Sequence, residues 1–97
     1  MAIYVVLYKF TEQGIKTIKE SPSRVAQFTN VVEAMGGKVL GTYYTMGEYD
    51  LVGIGEFPND EIAMTFLLRL SQAGTVRTTT LKAFTVEQFA EFVKTLP

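Results

Sequence analysis

Lys38-Val39-Leu40-Gly41-Thr42-Tyr43-Tyr44-Thr45-Met46, then Gly47-Glu48, then Asp50 to Phe57 read as two strands joined by a tight turn. β-Branched and aromatic residues fill both strands, as a pleated, half-buried surface requires. Gly47 supplies the positive φ of a two-residue type II′ hairpin turn. Working outward, a helix flanks the hairpin on each side. Before it, Ser21-Pro22 predicts an N-cap with proline at the first helical position, Val25, Phe28, Val32 and Met35 form one apolar stripe, and Gly36-Gly37 stops the helix. After it, Pro58-Asn59-Asp60-Glu61 predicts a helix capped by Asn59, with two acids where the macrodipole favours them. Ala63, Phe66, Leu67 and Leu70 give this helix its buried side, and Gly74 ends it.

Beyond each helix lies another strand. Ile3 to Lys9 is apolar on both parities, with Ile3, Val5 and Leu7 opposing Tyr4, Val6 and Tyr8. A strand of that kind is covered on both faces. Val76 to Phe84 is a threonine-rich strand. Thr85-Val86-Glu87-Gln88 forms a capping box that opens a last helix with Val86, Phe89, Ala90 and Val93 on one face. Thr11 to Glu20, polar and containing Gly14, reads as a loop. The order β-α-β-β-α-β-α, with right-handed crossovers, predicts an α+β fold: a ferredoxin-like four-stranded antiparallel sheet with an additional C-terminal helix.

The chain has 97 residues and a mass of 10.8 kDa, which predicts one domain over 1–97. Without Cys it has no disulfides, thiol nucleophile or thiolate metal site, and without His it lacks the usual haem ligand and Ser-His activation. No metal and no cofactor are therefore expected. A net charge of −1 argues against nucleic acid and anionic membranes as partners. Met1 to Tyr8 has neither the basic flank nor the cleavage site of a signal peptide, so a cytoplasmic location is expected.

A lone sheet of this type has one uncovered face, which ordinarily alternates toward polar residues. Here both parities are apolar, and a patch of that size marks an interface. The expectation is a homodimer with two sheets face to face, rather than a C-terminal helix folded back over the open face.

Candidate polar sites are few. Tyr49 and Asp50 at the hairpin turn suit a ligand amine or proton abstraction, or else simple turn chemistry. Asp50 and Glu56 share a strand parity but lie roughly 20 Å apart, too far to share a proton. A buried Glu56 would have a raised pKa and serve as a base. Arg77 begins the last strand within expected reach of Asp50 or Glu56. Tyr4, Tyr8 and Tyr43, with the hydroxyls of Thr78-Thr79-Thr80, would give an inner cavity mixed polarity suited to a small organic ligand. Lys16, Lys19 and Arg24 flank the first long helix, where an anion would sit, although no glycine-rich phosphate cradle is present.

Gly47-Glu48-Tyr49-Asp50 carries a resemblance. The chain resembles the GYD-domain family, named for a Gly-x-Tyr-Asp motif in this hairpin. Phe10-Thr11-Glu12-Gln13-Gly14-Ile15-Lys16, Glu20-Ser21-Pro22-Ser23-Arg24, Gly36-Gly37-Lys38-Val39, Gly74-Thr75-Val76-Arg77-Thr78 and Ala83-Phe84 support it over nearly the whole chain. The resemblance implies a dimeric α+β barrel and, since the family has no assigned activity, no particular reaction. The leading expectation is a homodimeric barrel that binds a small organic ligand, a binding or regulatory module. The alternatives are a cofactor-independent isomerase or monooxygenase working through Asp, Glu and Tyr, and a structural oligomerisation domain. Phe92, off the buried stripe of the last helix, suggests stacking into higher homo-oligomers.

Overall fold

The computed structural model describes all 97 residues, Met1–Pro97. β1 (Ala2–Phe10), β2 (Lys38–Tyr44), β3 (Leu51–Phe57) and β4 (Val76–Ala83) form one antiparallel sheet in the order β2-β3-β1-β4. The helices are α1 (Glu12–Lys16), α2 (Ser21–Ala34), α3 (Asp60–Ala73) and α4 (Val86–Val93). This is the expected α+β, ferredoxin-like arrangement. β1 lies at the centre between β3 and β4.

The β1 register sorts the sheet into two faces. Tyr4, Val6 and Tyr8 lie level with Gly55, Gly53 and Leu51 on β3. This side packs under α2 and α3, and the core joins Tyr4, Phe57, Val32, Ala63, Phe66 and Leu70, all nearly fully buried. Phe57 anchors it with ring contacts to Tyr4 and Phe66 at 5.8 and 5.4 Å between centroids. Ile3, Val5 and Leu7 face the other way beside Glu56, Ile54 and Val52, and beside Ala83, Leu81 and Thr79 of β4. No helix packs extensively on that face. α4 stands apart from the sheet, attached chiefly through Phe92, whose ring meets Phe84 at 5.3 Å and Phe89 at 6.5 Å.

Several local expectations need correction. Thr11 to Glu20 is not a loop: the Thr11 hydroxyl accepts from the Gly14 amide and caps α1, and a 3-10 turn (Ile18–Glu20) runs on into α2. Five helical residues present no apolar period, so the pattern is silent there. Gly14 is buried in α1 so close to the Thr75 carbonyl that a Cβ would collide with its oxygen, and only glycine fits. Ser21 is the first helical residue of α2 rather than its cap, since the chain arrives already helical from the 3-10 turn. The hairpin connection runs over residues 45–50 instead of two residues, closed by the Thr45 amide on the Asp50 carbonyl at 3.0 Å. Gly47 does take a positive φ, +117°. Asn59, Gly74 and the Thr85/Gln88 capping box serve as their residue types predict.

Candidate functional site

The hairpin end of the sheet gathers most of the sequence-predicted polar residues. Asp50 accepts from the Phe10 amide through Oδ2 at 2.9 Å, and its own amide donates to the Tyr8 carbonyl at 2.9 Å. Its carboxylate thus extends the β1–β3 ladder past the last strand residue and ties the loop to β1. The Tyr49 carbonyl accepts from the Thr45 hydroxyl at 2.6 Å. The Lys9 ammonium lies 5.3 Å from the centre of the Tyr49 ring and 3.8 Å from the Glu48 carboxylate. Arg77 is level with Lys9 at the same end of the sheet.

Glu56 is at the opposite end, level with Ile3 and Lys38. Arg77 therefore stands some six strand positions from it, roughly 20 Å, and cannot reach it. Nor does Arg77 form an ion pair with Asp50. The three tyrosines do not share a cavity either. Tyr4 and Tyr8 belong to the helix side, whereas Tyr43, level with Val52, belongs to the open face. A bulge at Leu40, between Val39 and Gly41, shifts the β2 register and decides which of Tyr43 and Tyr44 faces which way.

Of Lys16, Lys19 and Arg24, the first and the last have partners within the chain. Lys16 pairs with Glu12 at 3.2 Å. The Arg24 guanidinium turns back on α1, donating to the Thr17 carbonyl and hydroxyl at 3.1 and 3.0 Å and to the Gly14 carbonyl at 3.4 Å. It adds a side-chain donor to carbonyls at the C-terminal end of this short helix, the Thr17 carbonyl also accepting from the Glu20 amide at 3.0 Å.

One polar cluster was not foreseen. The Tyr4 hydroxyl donates to Asp60, whose carboxylate also accepts from Lys82 at 3.0 and 3.2 Å. Burial, aided by the Asp60 contact, pushes the Tyr4 hydroxyl up to about 12. The Tyr4 hydroxyl and then the Lys82 ammonium hold Asp60 below the usual carboxylate range. These residues are distant in sequence, and the helix-start reading of Asp60 carried no sign of them. Burial alone pushes Tyr8 up to about 12. On the open face, the edge strands carry uncovered apolar residues: Leu40 and Tyr43 on β2 and Leu81 on β4 expose about half or more of their surface.

No helix is long and apolar enough to cross a membrane. What the fold and its faces define is a small α+β domain with one apolar sheet face left uncovered by helices. The GYD-domain model matches residues 4–93, and the chain belongs to that family. A relative from Thermus thermophilus, the "Glutamine synthetase and cystathionine beta-lyase binding protein", is 30% identical over 87 residues, covering 89% of this chain and 92% of its own.

Proposed function

We propose that the protein is a homodimeric binding module whose two copies pair through their open sheet faces and hold another protein. The observation that carries the reading is the uncovered apolar face built from Ile3, Val5, Leu7, Val52, Ile54 and Leu81. Four strands of about seven residues give a face of roughly 450 Å², since strands lie about 4.8 Å apart and rise about 3.4 Å per residue. A standard interface needs about 800 Å² per partner. The sheet supplies a little over half, and α4 offers more: Val86, Phe89, Val93 and Leu96 are 42–83% exposed. An arm bearing such a stripe would clasp the second copy and complete the interface.

Packed sheets lie about 10 Å apart with interdigitating side chains, so large residues at these positions favour a filled interior over an open barrel. That leaves the outer surface for partners. The Thermus relative is named for binding two enzymes, which makes an enzyme the partner class inferred for this chain. Asp50, with a carboxylate engaged by the Phe10 amide, and the distant Glu56 lend no support to catalysis.

The test is solution mass at micromolar concentration. Twice 10.8 kDa is expected, falling to the protomer mass in a Leu81→Arg, Val5→Asp variant with an unchanged circular-dichroism spectrum. A wild-type protomer mass throughout overturns the pairing. Titration with purified glutamine synthetase and cystathionine β-lyase from the same organism tests the partner class, and the absence of a saturable complex with either overturns that part.

A further inference from the structure

The opposite side of the sheet holds a feature that the binding-module reading leaves unexplained. Between α2 and the sheet lies a half-open cavity of about 70 Å³, and fourteen of the 21 residues round it are hydrophobic. Its origin is legible in β3, where Gly53 and Gly55 fall on the helix-facing parity. With no side chains there, the middle of the sheet is a trough that α2 bridges with Phe28 and Val32 without filling.

One buried hydroxyl in this cavity has no partner in the chain. Thr75 is 7% exposed, lines the cavity, and its Oγ1 makes no hydrogen bond. A buried hydroxyl without a partner costs about 1–3 kcal/mol, so a fold that keeps such a group beside a vacant space is arranged for something to meet it. Tyr8, further along the cavity, lies over Gly53 and closes the trough there. The Ser21 hydroxyl is engaged with Tyr44 at 2.9 Å, the Thr29 hydroxyl with the Val25 carbonyl, and Arg24 with the end of α1.

We propose that this cavity is a binding site for a small neutral organic molecule with an apolar body and one hydroxyl or carbonyl head, the head bonding to Thr75 and the body lying along the trough toward Gly53. Neutrality follows from the surroundings, because the one cation at the rim, Arg24, is committed to carbonyls and no carboxylate lines the site. Size follows from volume. Water occupies about 30 Å³ in the liquid and a cavity of about 150 Å³ holds benzene, so this one takes the head and a few carbons. A longer tail leaves by the open side. The site lies within one protomer, on the face opposite the pairing surface, and stands independently of the dimer.

The experiment is a titration of the protein with n-butanol, followed by amide NMR shifts. Saturable shifts at Gly53, Gly55 and Thr75 are expected in the millimolar range, with sodium butyrate at least tenfold weaker because burying its charge is costly. Thr75→Val preserves shape and should weaken n-butanol binding about tenfold, the worth of one hydrogen bond. Gly53→Ala, whose methyl would meet the Tyr8 ring at an ordinary 3.4 Å, should fold and bind more weakly by partly filling the trough. Shifts that stay linear, butyrate binding as well as n-butanol, or a Thr75→Val variant binding like the wild type would each overturn the proposal. An ordered water on Thr75 that n-butanol fails to displace would overturn it too.

Discussion

The two faces of one sheet start from the same kind of residue and end in different places. On the helix side, Tyr4, Val6, Leu51 and Phe57 are at most 6% exposed, closed over by α2 and α3. On the other side, Ile3, Val5, Leu7, Val52 and Ile54 are only partly shielded by one another, and Leu81 and Tyr43 are 50% and 61% exposed. Hydrophobicity marks a residue as needing cover without saying which molecule supplies it. Two right-handed crossovers place both long helices on one side of the sheet. A chain of this topology can close one face from within, and the other must be closed from outside.

The largest effects that sharpen this contrast are in the helix-side core. Leu70, 1% exposed, should lose about 2–5 kcal/mol on replacement by Ala, measured as a fall in the urea midpoint at unchanged slope. Leu81→Ala on the open face should shift the isolated protomer by about 0.5 kcal/mol or less, yet weaken pairing at low concentration. Equal losses at the two positions, independent of protein concentration, would erase the distinction between the faces.

Alkaline pH probes the helix side next. Tyr4 and Tyr8 sit at about 12 when folded against an ordinary 10.0, so the folded state holds its protons longer than the unfolded chain. Their contribution is complete below pH 10 and is lost as pH climbs from there through about 12. Asp60 works the other way: held low by Tyr4 and Lys82, it stabilises above the usual carboxylate range and loses that contribution as pH falls. Tyr8→Phe should therefore flatten only the alkaline limb of a stability–pH curve, and Tyr4→Phe both limbs. An alkaline limb unchanged in the double variant would contradict the assignment.

The smallest effect belongs to α4. Thr85→Ala removes the side chain that accepts from the Gln88 amide at 3.0 Å, which should cost the helix about 1 kcal/mol. Because α4 stands apart, the protomer's urea midpoint should hold while helical circular dichroism falls slightly. A matching loss in dimer affinity would show that the arm contributes to pairing.

Much of the fold was legible because its signals are local. Asn59 caps α3, Gly74 ends it at φ +78°, and the Thr85/Gln88 box opens α4, each read from a few neighbouring residues. The expected two-residue turn and the expected loop at Thr11–Glu20 failed where distant groups intervene. The carboxylate of Asp50 on the Phe10 amide holds a longer connection, and Arg24 together with the Thr75 carbonyl shapes α1. The site was less legible still. Tyr8 and Tyr43 look equivalent along the chain, and a bulge at Leu40 is part of what puts them on opposite faces. Gly53 and Gly55 did carry a signal, alternate glycines on one parity of a strand, but the side they open onto is set by the helices above.

By itself the sequence determined the four strands and three long helices, their order, the single sheet and the surplus of apolar surface, because strand alternation, helix stripes and caps depend on residues a few positions apart. Only the tertiary structure decided which parity meets the helices, which buried hydroxyl is left without a partner, and where Asp60 finds Tyr4 and Lys82. Those outcomes depend on register and on contacts between residues far apart in the chain, 56 positions for Tyr4 and Asp60, and no local pattern encodes them.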